Sequence, residues 1–251
     1  MNFSGISSQT LLGHLLRAPL QLIPREACLP VLQGRLRGKK WIVGSSNHGC
    51  WLGSFEHEKR LLFERTVEPG AVVFDIGANV GFYTLLASVA VGPEGKVYAF
   101  EPAPRSLRYL REHLRLNAVS NVNVLEVAVS DHCGRALFDE GQNSALGHLS
   151  SSGQVWVETV GLDDLVATAQ VPPPDYVKID IEGAEFHALS GAKSMLASVR
   201  PTIFLSTHSP DLHRACRRLL ESLGYTLRAI GPASVDETDE LIAEAPRDKS
   251  G

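Results

Sequence analysis

Short continuous apolar runs alternate with amphipathic stretches along the chain after residue 50. Such runs are typical of strands covered on both faces, and they occur at 72–77, 96–101, 123–130, 175–180, 202–207 and 225–230. Patterns with helical spacing lie between them at 81–90, 104–117, 184–198 and 210–223. This alternation predicts an α/β fold with a mostly parallel sheet and helices on both faces.

The N-terminal part of the chain does not follow this alternation. Leucines at helical spacing between residues 11 and 23 predict one helix, which is too short and too polar to span a bilayer. Residues 31–52 predict a small β-hairpin lid that carries Trp41 and Trp51. We therefore place an N-terminal helix and hairpin extension at 1–52, the main domain at 53–245 and a polar tail at 246–251.

A second interruption lies within the main domain at about 134–164. It predicts a strand pair, 135–139 and 155–159, joined by a small, polar loop at 141–153. Ligands of open α/β sheets bind outside the carboxyl ends of the strands. We therefore expect insertions at that edge to set ligand specificity.

Composition restricts the partners of the chain. Its 251 residues are 44% hydrophobic, enough for one substantial core, and its net charge is −4 without a basic tract. The arginines between 105 and 115 alternate with leucines and predict a solvated helix face, so no nucleic acid is expected as a partner. The apolar N-terminal helix leaves room for a homodimer.

The cysteines and the N-terminus indicate a cellular compartment. The four cysteines have no metal-binding spacing and predict buried thiols in a reducing environment. No basic residue precedes the N-terminal apolar stretch, which therefore does not resemble an export signal. These features predict a cytoplasmic protein without stable membrane insertion.

A glycine-rich turn follows the first apolar run of the main domain. Residues 72–84 read as a buried strand, a turn containing Gly77 and Gly81, and the start of a helix. Glu101 closes the next apolar run, twenty residues after Gly81. Since this acid can accept both ribose hydroxyls, the arrangement predicts a site for an adenosine-bearing cofactor.

The residues of the turn help to distinguish between cofactors. A dinucleotide fingerprint requires glycines where this chain has Asn79 and Phe82. Asp75 lies in the turn, where its carboxylate would repel a pyrophosphate but would suit a cationic ligand. S-adenosylmethionine carries a sulfonium and an ammonium and no phosphate, so the charge pattern favours it over NAD.

Four sequence blocks, taken in order, resemble one known family. They are Asp-Ile-Gly-Ala-Asn-Val-Gly-Phe-Tyr-Thr at 75–84, Phe-Glu-Pro at 100–102, Ala-Val-Ser-Asp at 128–131 and Lys-Ile-Asp-Ile-Glu-Gly-Ala-Glu at 178–185. Together they look like the FkbM family of S-adenosylmethionine-dependent methyltransferases, over roughly residues 53–225. Each block alone is weak evidence, whereas their order and spacing are specific.

The resemblance implies both a fold and an activity. The fold is the Rossmann-like class I methyltransferase sandwich, with a mostly parallel seven-stranded sheet and helices on both faces. Its last strand is antiparallel, and residues 240–245 are the candidate, beside 225–230. The activity is methyl transfer, usually to a hydroxyl oxygen of a small molecule or a sugar-containing metabolite.

The candidate cofactor site combines the glycine loop with other strand ends and one helix. Ser54 is expected to cap a helix that begins near residue 53, and the resemblance suggests that this helix covers the cofactor cleft. The predicted cofactor-binding residues are Glu56, Asp75, Gly77, Ala78, Asn79, Gly81, Thr84, Glu101, Pro102, Ala128 and Val129.

The candidate catalytic residues follow two neighbouring strands. Asp180 and Glu182 come after one apolar run, and alternate residues of an extended chain project to the same side. His208 ends the next run and is expected beside them. The three residues predict either a general base for an alcohol or a hard-metal site, for example for magnesium. Glu185 either joins them or stabilises a helix N-terminus.

Three other functions are compatible with parts of the sequence. N-methylation instead of O-methylation is one, since the distinction rests on the resemblance and the acid pair. A non-catalytic S-adenosylmethionine-binding module is a second, although such a module has no use for Asp180 and Glu182. An NAD-dependent enzyme is the third, and the missing dinucleotide glycines argue against it.

Overall fold

The computed structural model describes residues 20, 22–141, 147–150 and 152–246. The predicted N-terminal helix lies almost entirely outside the described residues, as do five positions of the 141–153 loop at 142–146 and most of the predicted tail. None of the helices in the described ranges has the length and apolar character needed to cross a membrane.

The strands account for most of the predicted apolar runs. They are β1 (Cys28–Pro30), β2 (Lys40–Ile42), β3 (Val72–Ile76), β4 (Lys96–Phe100), β5 (Val122–Leu125), β6 (Val127–Val129), β7 (Gly134–Asp139), β8 (His148–Leu149), β9 (Val155–Val160), β10 (Tyr176–Ile179), β11 (Thr202–Ser206), β12 (Thr226–Ala229) and β13 (Glu240–Glu244). The α-helices are α1 (Gly49–Leu52), α2 (His57–Thr66), α3 (Phe82–Val91), α4 (Pro104–Leu116), α5 (Leu162–Ala167), α6 (Glu185–Ser190), α7 (Lys193–Ser198) and α8 (Pro210–Ser222).

Seven strands form the central sheet in the order β12-β13-β11-β10-β3-β4-β5. Strand β13 is antiparallel to both of its neighbours, while the pairs from β11 to β5 are parallel. Buried apolar clusters cover both faces of the sheet, which explains why its strands are continuous apolar runs. The predicted class I architecture, including its antiparallel last strand, is confirmed.

Two predicted elements are broken in the structure. The run at 123–130 divides at Glu126, where the chain leaves the central sheet and enters a four-stranded sheet, β6-β9-β7-β8. The helix predicted at 184–198 is two short helices separated at Gly191. A Cβ on Gly191 would lie 2.1 Å from the carbonyl oxygen of Ser130, so this close contact between backbones requires glycine there.

A hairpin is present, but its first strand lies before the predicted segment 31–52, and the hairpin packs into the core. Strands β1 and β2 pair antiparallel, and the buried Trp41 stacks on His113 with ring centroids 3.9 Å apart. Trp51 is also buried in the cluster that contains α3. The description of this segment as a lid is therefore wrong for its tryptophans, because their large apolar surfaces are covered by the main domain.

The cysteines differ in their burial. Cys50 and Cys216 are buried, whereas Cys28 and Cys133 are exposed, and all four thiols are free. The prediction of four buried thiols is therefore wrong for two of them. Burial raises the pKa of Cys50 and of Cys216 to about 12, which leaves both thiols protonated at neutral pH.

Candidate active site

A cavity of about 240 Å³ opens where strands β3, β4 and β10 end. Its floor is the glycine loop after β3, and the residues that follow β4 and β10 form two of its sides. The small sheet supplies Phe138 and Leu149, and the segment after the hairpin supplies Ser46 and Cys50. This position, outside the carboxyl ends of parallel strands, is where ligands bind in open α/β sheets.

The glycine loop requires left-handed backbone at three positions. Gly77, Asn79 and Gly81 have φ values of 76°, 49° and 93°. A Cβ on Gly77 would lie 2.0 Å from the carbonyl oxygen of Asp180, so the loop packs directly against the end of β10. Asparagine is among the non-glycine residues that tolerate this left-handed angle best, which explains Asn79 at the centre of the loop.

Glu101 is held at the end of β4 by backbone donors on two sides. Its Oε2 accepts a hydrogen bond from the Asn79 N–H at 2.7 Å, and its Oε1 accepts one from the Ala103 N–H at 2.9 Å. Burial raises the pKa of this carboxyl to about 7 despite these donors. Each oxygen keeps a free lone pair, so the carboxylate can still accept two hydroxyl groups, as a ribose would require.

Asp75 and Thr84 lie behind the cavity wall. Asp75 is fully buried, and its Oδ2 accepts a 2.6 Å hydrogen bond from the Thr84 hydroxyl. Its Oδ1 lies 3.5 Å from Lys178 Nζ and has no hydrogen-bond partner among the described residues. Asp75 and Thr84 therefore act first of all by positioning the glycine loop and Lys178.

Lys178 connects the loop with the candidate catalytic acids. It is buried in β10, and its Nζ donates to the carbonyl oxygen of Gly77 at 3.0 Å and lies 3.8 Å from Asp180 Oδ2. Burial acts to lower the pKa of Lys178, but the charges of Asp75 and Asp180 outweigh it and raise that pKa. Its one sequence signal was a lysine within an otherwise apolar strand.

A second buried cation, Lys59, was missed by the sequence analysis. Its Nζ lies 2.6 Å from Glu56, 2.8 Å from Glu240, 2.9 Å from Ser206 Oγ and 3.6 Å from Asp180. Burial acts to lower the pKa of Lys59, but these carboxylates outweigh it and raise that pKa. The signal that could have revealed it is its spacing, one helical turn after Glu56.

Glu56 directs its carboxylate inward from the start of α2. The helix begins at His57 and Glu56 is its N-cap, with a left-handed φ of 41° and no side-chain cap, so the predicted cap at Ser54 is wrong. The Glu56 carboxylate instead pairs with Lys59 and accepts a 3.0 Å hydrogen bond from the Tyr83 hydroxyl. This arrangement places a negative charge on the cavity wall.

The structure brings Asp180, Glu182 and His208 together. His208 Nε2 lies 3.5 Å from Asp180 Oδ1 and 3.5 Å from Glu182 Oε2. The two acids do not converge through an extended chain, because β10 ends at Ile179 and Glu182 has a left-handed φ of 53°. A turn therefore produces the convergence that was expected from strand alternation.

The three groups have different protonation tendencies. Burial acts to raise the pKa of Asp180, but Lys178, Lys59 and His208 outweigh it and lower that pKa. Burial raises the pKa of Glu182. The hydrogen bond to a neighbouring carboxylate raises the pKa of His208 to about 9. Asp180 is thus the permanent anion of the group, and His208 is a strong base once it is neutral.

That neighbouring carboxylate belongs to Glu185, at the start of α6. It is fully buried, and its Oε1 accepts a 2.7 Å hydrogen bond from His208 Nδ1. The same oxygen accepts backbone N–H groups from Ile181 at 3.3 Å and Gly183 at 3.0 Å. Glu185 therefore accepts hydrogen bonds from backbone N–H groups of the turn before α6 and also contacts the imidazole of His208.

Most predicted cofactor residues meet at the cavity. Eight of the eleven line it: Glu56, Gly77, Ala78, Asn79, Glu101, Pro102, Ala128 and Val129. The other three, Asp75, Gly81 and Thr84, lie behind the lining and support the loop. Asp180 and Glu182 line the same cavity. The residues fit S-adenosylmethionine, because Glu101 can receive ribose hydroxyls while Glu56 and Asp180 present negative charge to a cationic ligand.

A family model for the methyltransferase FkbM domain matches residues 75–227. This match includes the glycine loop, Glu101 and the Asp180–His208 cluster. The chain belongs to the FkbM methyltransferase family. The predicted resemblance is confirmed, and so is the prediction of an S-adenosylmethionine-dependent methyltransferase at the level of the family.

Two relatives agree with this membership. The chain is 33% identical over 142 residues to the hexuronic acid methyltransferase AglP of Haloferax volcanii, an alignment that covers 56% of this chain and 57% of that protein. It is 29% identical over 204 residues to the 2-O-methyltransferase NoeI of Sinorhizobium fredii, covering 73% and 78%.

The fold of this FkbM-family chain is similar to that of a crystallised family member. Methyltransferase FkbM of Methylobacillus flagellatus superimposes with a TM-score of 0.53 at 17% identity, covering 79% of this chain and 55% of that one. The chain thus spans little more than half the length of that protein and of AglP. At this identity the superposition shows the shared fold alone.

Proposed function

We propose that this protein transfers the methyl group of S-adenosylmethionine to a hydroxyl oxygen of a small polar acceptor. The observation that carries the proposal is the position of His208. Its Nε2 lies 3.5 Å from Asp180 and Glu182, and these two acids line the same cavity as the cofactor residues. An alcohol is a weak nucleophile at neutral pH, so a base at this point is what O-methylation requires.

The names of the relatives support a hydroxyl acceptor. NoeI is described as a 2-O-methyltransferase, AglP as a hexuronic acid methyltransferase, and a further relative from Streptomyces tacrolimicus, 29% identical over 211 residues, as a 31-O-demethyl-FK506 methyltransferase. We infer a sugar-containing or polyketide-like small molecule as the acceptor class. The acidic cavity and the net charge of −4 argue against a nucleic acid acceptor.

The residues of this chain can perform three tasks. When bound, S-adenosylmethionine supplies an already activated methyl group. Glu101 would bind the ribose and Asp180 would remain ionised beside the cavity. The neutral form of His208, a minor fraction at neutral pH because its pKa is about 9, would accept the acceptor's proton at Nε2. The surrounding Lys59 and Lys178 lower the pKa of Asp180, so its carboxylate is a weaker base than neutral His208, whose pKa is raised.

A divalent metal is the alternative use of the same residues. Asp180, Glu182 and His208 offer ligand atoms that all lie within 4.8 Å of one another. A magnesium ion held there would lower the pKa of the acceptor hydroxyl instead of removing its proton directly. Magnesium prefers an all-oxygen shell, and His208 would supply a nitrogen ligand, so we favour the base. Retention of full activity in EDTA would support this choice.

The exposed thiols support a proposal about cellular location. Cys28 and Cys133 are exposed and free. Exposed thiols persist in reducing compartments, so we propose that the enzyme acts in the cytoplasm.

Calorimetry and transfer assays with variants test the proposed function. Purified protein should bind S-adenosylmethionine and its demethylated product, and labelled methyl should move to a hydroxyl within a panel of neutral and acidic glycosides and polyketide alcohols. We expect H208A to lower kcat by roughly 10²–10⁴-fold while product binding is retained. H187A, which removes a surface histidine 60% exposed on its side chain, is the matched control and should keep full activity. Absence of cofactor binding would contradict the methyltransferase proposal, and methylation of nitrogen would contradict the hydroxyl acceptor.

A further inference from the structure

We propose that Glu185 is a positioning residue: its carboxylate holds the Nδ1–H of His208 and thereby directs Nε2 toward the methyl acceptor. The inference rests on the proposed function, since it assigns a partner to the base of that reaction. Sequence alone left Glu185 between joining the candidate catalytic residues and stabilising a helix N-terminus. Three structural observations favour the positioning role.

The first observation is the burial of Glu185. Its exposed fraction is 0%, whereas an acid that only stabilises a helix N-terminus usually reaches solvent. Its Oε2 is buried without a hydrogen-bond partner in the described part of the chain. A buried carboxylate with one unpaired oxygen costs free energy. The helix that follows has only six residues, so its dipole offers little compensation.

The second observation is the bond to His208. Oε1 of Glu185 lies 2.7 Å from Nδ1, the shortest distance among the carboxylates around this imidazole. A carboxylate accepts but cannot donate when ionised, so Nδ1 must carry the proton. In the neutral imidazole, Nε2 then holds the free lone pair. This nitrogen lies beside the cavity-lining acids Asp180 and Glu182, where an acceptor hydroxyl would arrive.

The third observation is that Glu185 also fixes the turn that carries Glu182. The same Oε1 accepts the N–H groups of Ile181 and Gly183, which flank Glu182 in the chain. Glu182 and Gly183 have left-handed φ values of 53° and 109°, so this turn depends on such bonds. One carboxylate thus sets the position of the imidazole relative to the acids it faces.

The arrangement has the logic of a carboxylate–histidine pair that orients a base. The carboxylate need not take the proton; it selects the tautomer and stabilises the imidazolium that forms. If a metal occupied the site, the same bond would orient His208 as a ligand. The positioning role therefore holds for either use of Nε2.

The test compares E185Q with a control carboxylate that only caps a helix. The amide oxygen of E185Q can still accept the backbone N–H groups, but it lacks the charge. We expect kcat to fall by roughly 10²–10⁴-fold, with the KM for S-adenosylmethionine nearly unchanged. Asp163 accepts the N–H groups of Ser194 at 2.9 Å and Met195 at 2.8 Å, at the start of α7 and remote from His208. D163N should therefore lower stability and leave kcat intact.

A second readout needs neither acceptor nor turnover. Nitrogen-15 NMR of the wild-type protein, at a pH where His208 is neutral, should show the proton on Nδ1, and E185Q should shift the tautomer toward Nε2–H. An Nε2–H tautomer in the wild type overturns the inference, and so does a folded E185Q with wild-type kcat. If E185Q does not fold, the wild-type spectrum still shows which nitrogen carries the proton and so decides whether the inference stands. If no acceptor is methylated by wild type, the proposed function fails while the tautomer remains measurable.

Discussion

Lys59 and Glu240 are 181 positions apart in the chain, yet the Lys59 ammonium donates to Glu240 Oε1 across 2.8 Å. The contact joins helix α2 to the last strand, β13, and the same ammonium lies 3.6 Å from Asp180. The lysine side chain is 4% exposed. One buried cation therefore links a helix beside the candidate cofactor cavity, the last strand of the chain and a candidate catalytic acid.

We predict that K59M destabilises the protein substantially. The methionine keeps most of the apolar stem but leaves Glu56, Glu240 and Asp180 without their shared counter-charge. Loss of one partner of a buried ion pair costs about 3–5 kcal/mol of unfolding free energy. We expect a loss near the lower end of this range, because the three acids are partly exposed and water can solvate them. Urea unfolding measures the loss. K193M, at an exposed position of α7, is the control, expected within about 0.5 kcal/mol of wild type.

Cofactor binding should become tighter as pH rises through about 7. The pKa of Glu101 is raised to about 7 by burial, and only its ionised form accepts both ribose hydroxyls. Calorimetry with the demethylated cofactor at pH 6 and pH 8 should show this change in wild type. E101Q should bind weakly, and its affinity should not change with the ionisation of residue 101, because an amide does not titrate. Any titration of the ligand itself is common to both proteins and cancels in the comparison. Equal pH dependence in the two proteins would contradict the role of Glu101.

The same raised pKa has the opposite effect on the stability of the protein without ligand. A carboxyl whose pKa is higher in the folded state stabilises the fold at low pH, and that contribution is lost as pH rises through the folded pKa, here about 7. E101Q should therefore gain stability relative to wild type between pH 6 and pH 8. Urea unfolding of both proteins without cofactor measures the difference.

We predict that T84V weakens the glycine loop. The Thr84 hydroxyl donates a 2.6 Å hydrogen bond to Asp75 Oδ2. The other oxygen of Asp75 lies 3.5 Å from Lys178 Nζ and already lacks a hydrogen-bond partner among the described residues. An unsatisfied buried carboxylate oxygen should cost about 1–3 kcal/mol of unfolding free energy. T84S keeps the hydroxyl and should lose much less, since it removes only a methyl group. Equal losses in the two variants would assign the effect to packing rather than to the hydrogen bond.

Low pH should destabilise the junction between the hairpin and α4. His113 bonds the Val80 carbonyl at 2.7 Å through Nδ1 and accepts the Ile42 N–H at 3.1 Å through Nε2, so its ring is neutral. Burial lowers its pKa to about 4. The contribution of neutral His113 to stability is therefore complete above the unfolded pKa of about 6.5. It is lost as pH falls toward 4, by on the order of 3 kcal/mol. H113L should show less acid sensitivity than wild type in urea unfolding at pH 7 and pH 5.

Several parts of the fold could be read from the sequence because they depend on local patterns. Parallel strands covered on both faces require continuous apolar runs, which marked the central strands. The turn at Gly77 and Gly81 requires left-handed backbone, which glycine permits. The acid Glu101 follows its strand at a fixed distance from that turn. These features are determined by neighbouring residues and remain visible without tertiary contacts.

Other features could not be predicted because they depend on distant packing. The run at 123–130 has no break in its apolar pattern strong enough to show that it serves two sheets. Trp41 was assigned to a lid because nothing nearby in sequence shows that it stacks on His113. The acids after β10 were correctly brought together with His208, but by a left-handed turn at Glu182 and not by strand alternation.

The sequence by itself determined the family, the class I sheet and the glycine loop and acid that line the cavity. Each follows from residue types at short spacings, where backbone geometry and strand alternation act directly. Only the tertiary structure decided how the charged groups are paired: Lys59 with Glu240, Lys178 with Asp75, and His208 with Glu185. Charges interact through space and become strong where water is excluded, so their partners are set by how distant segments pack.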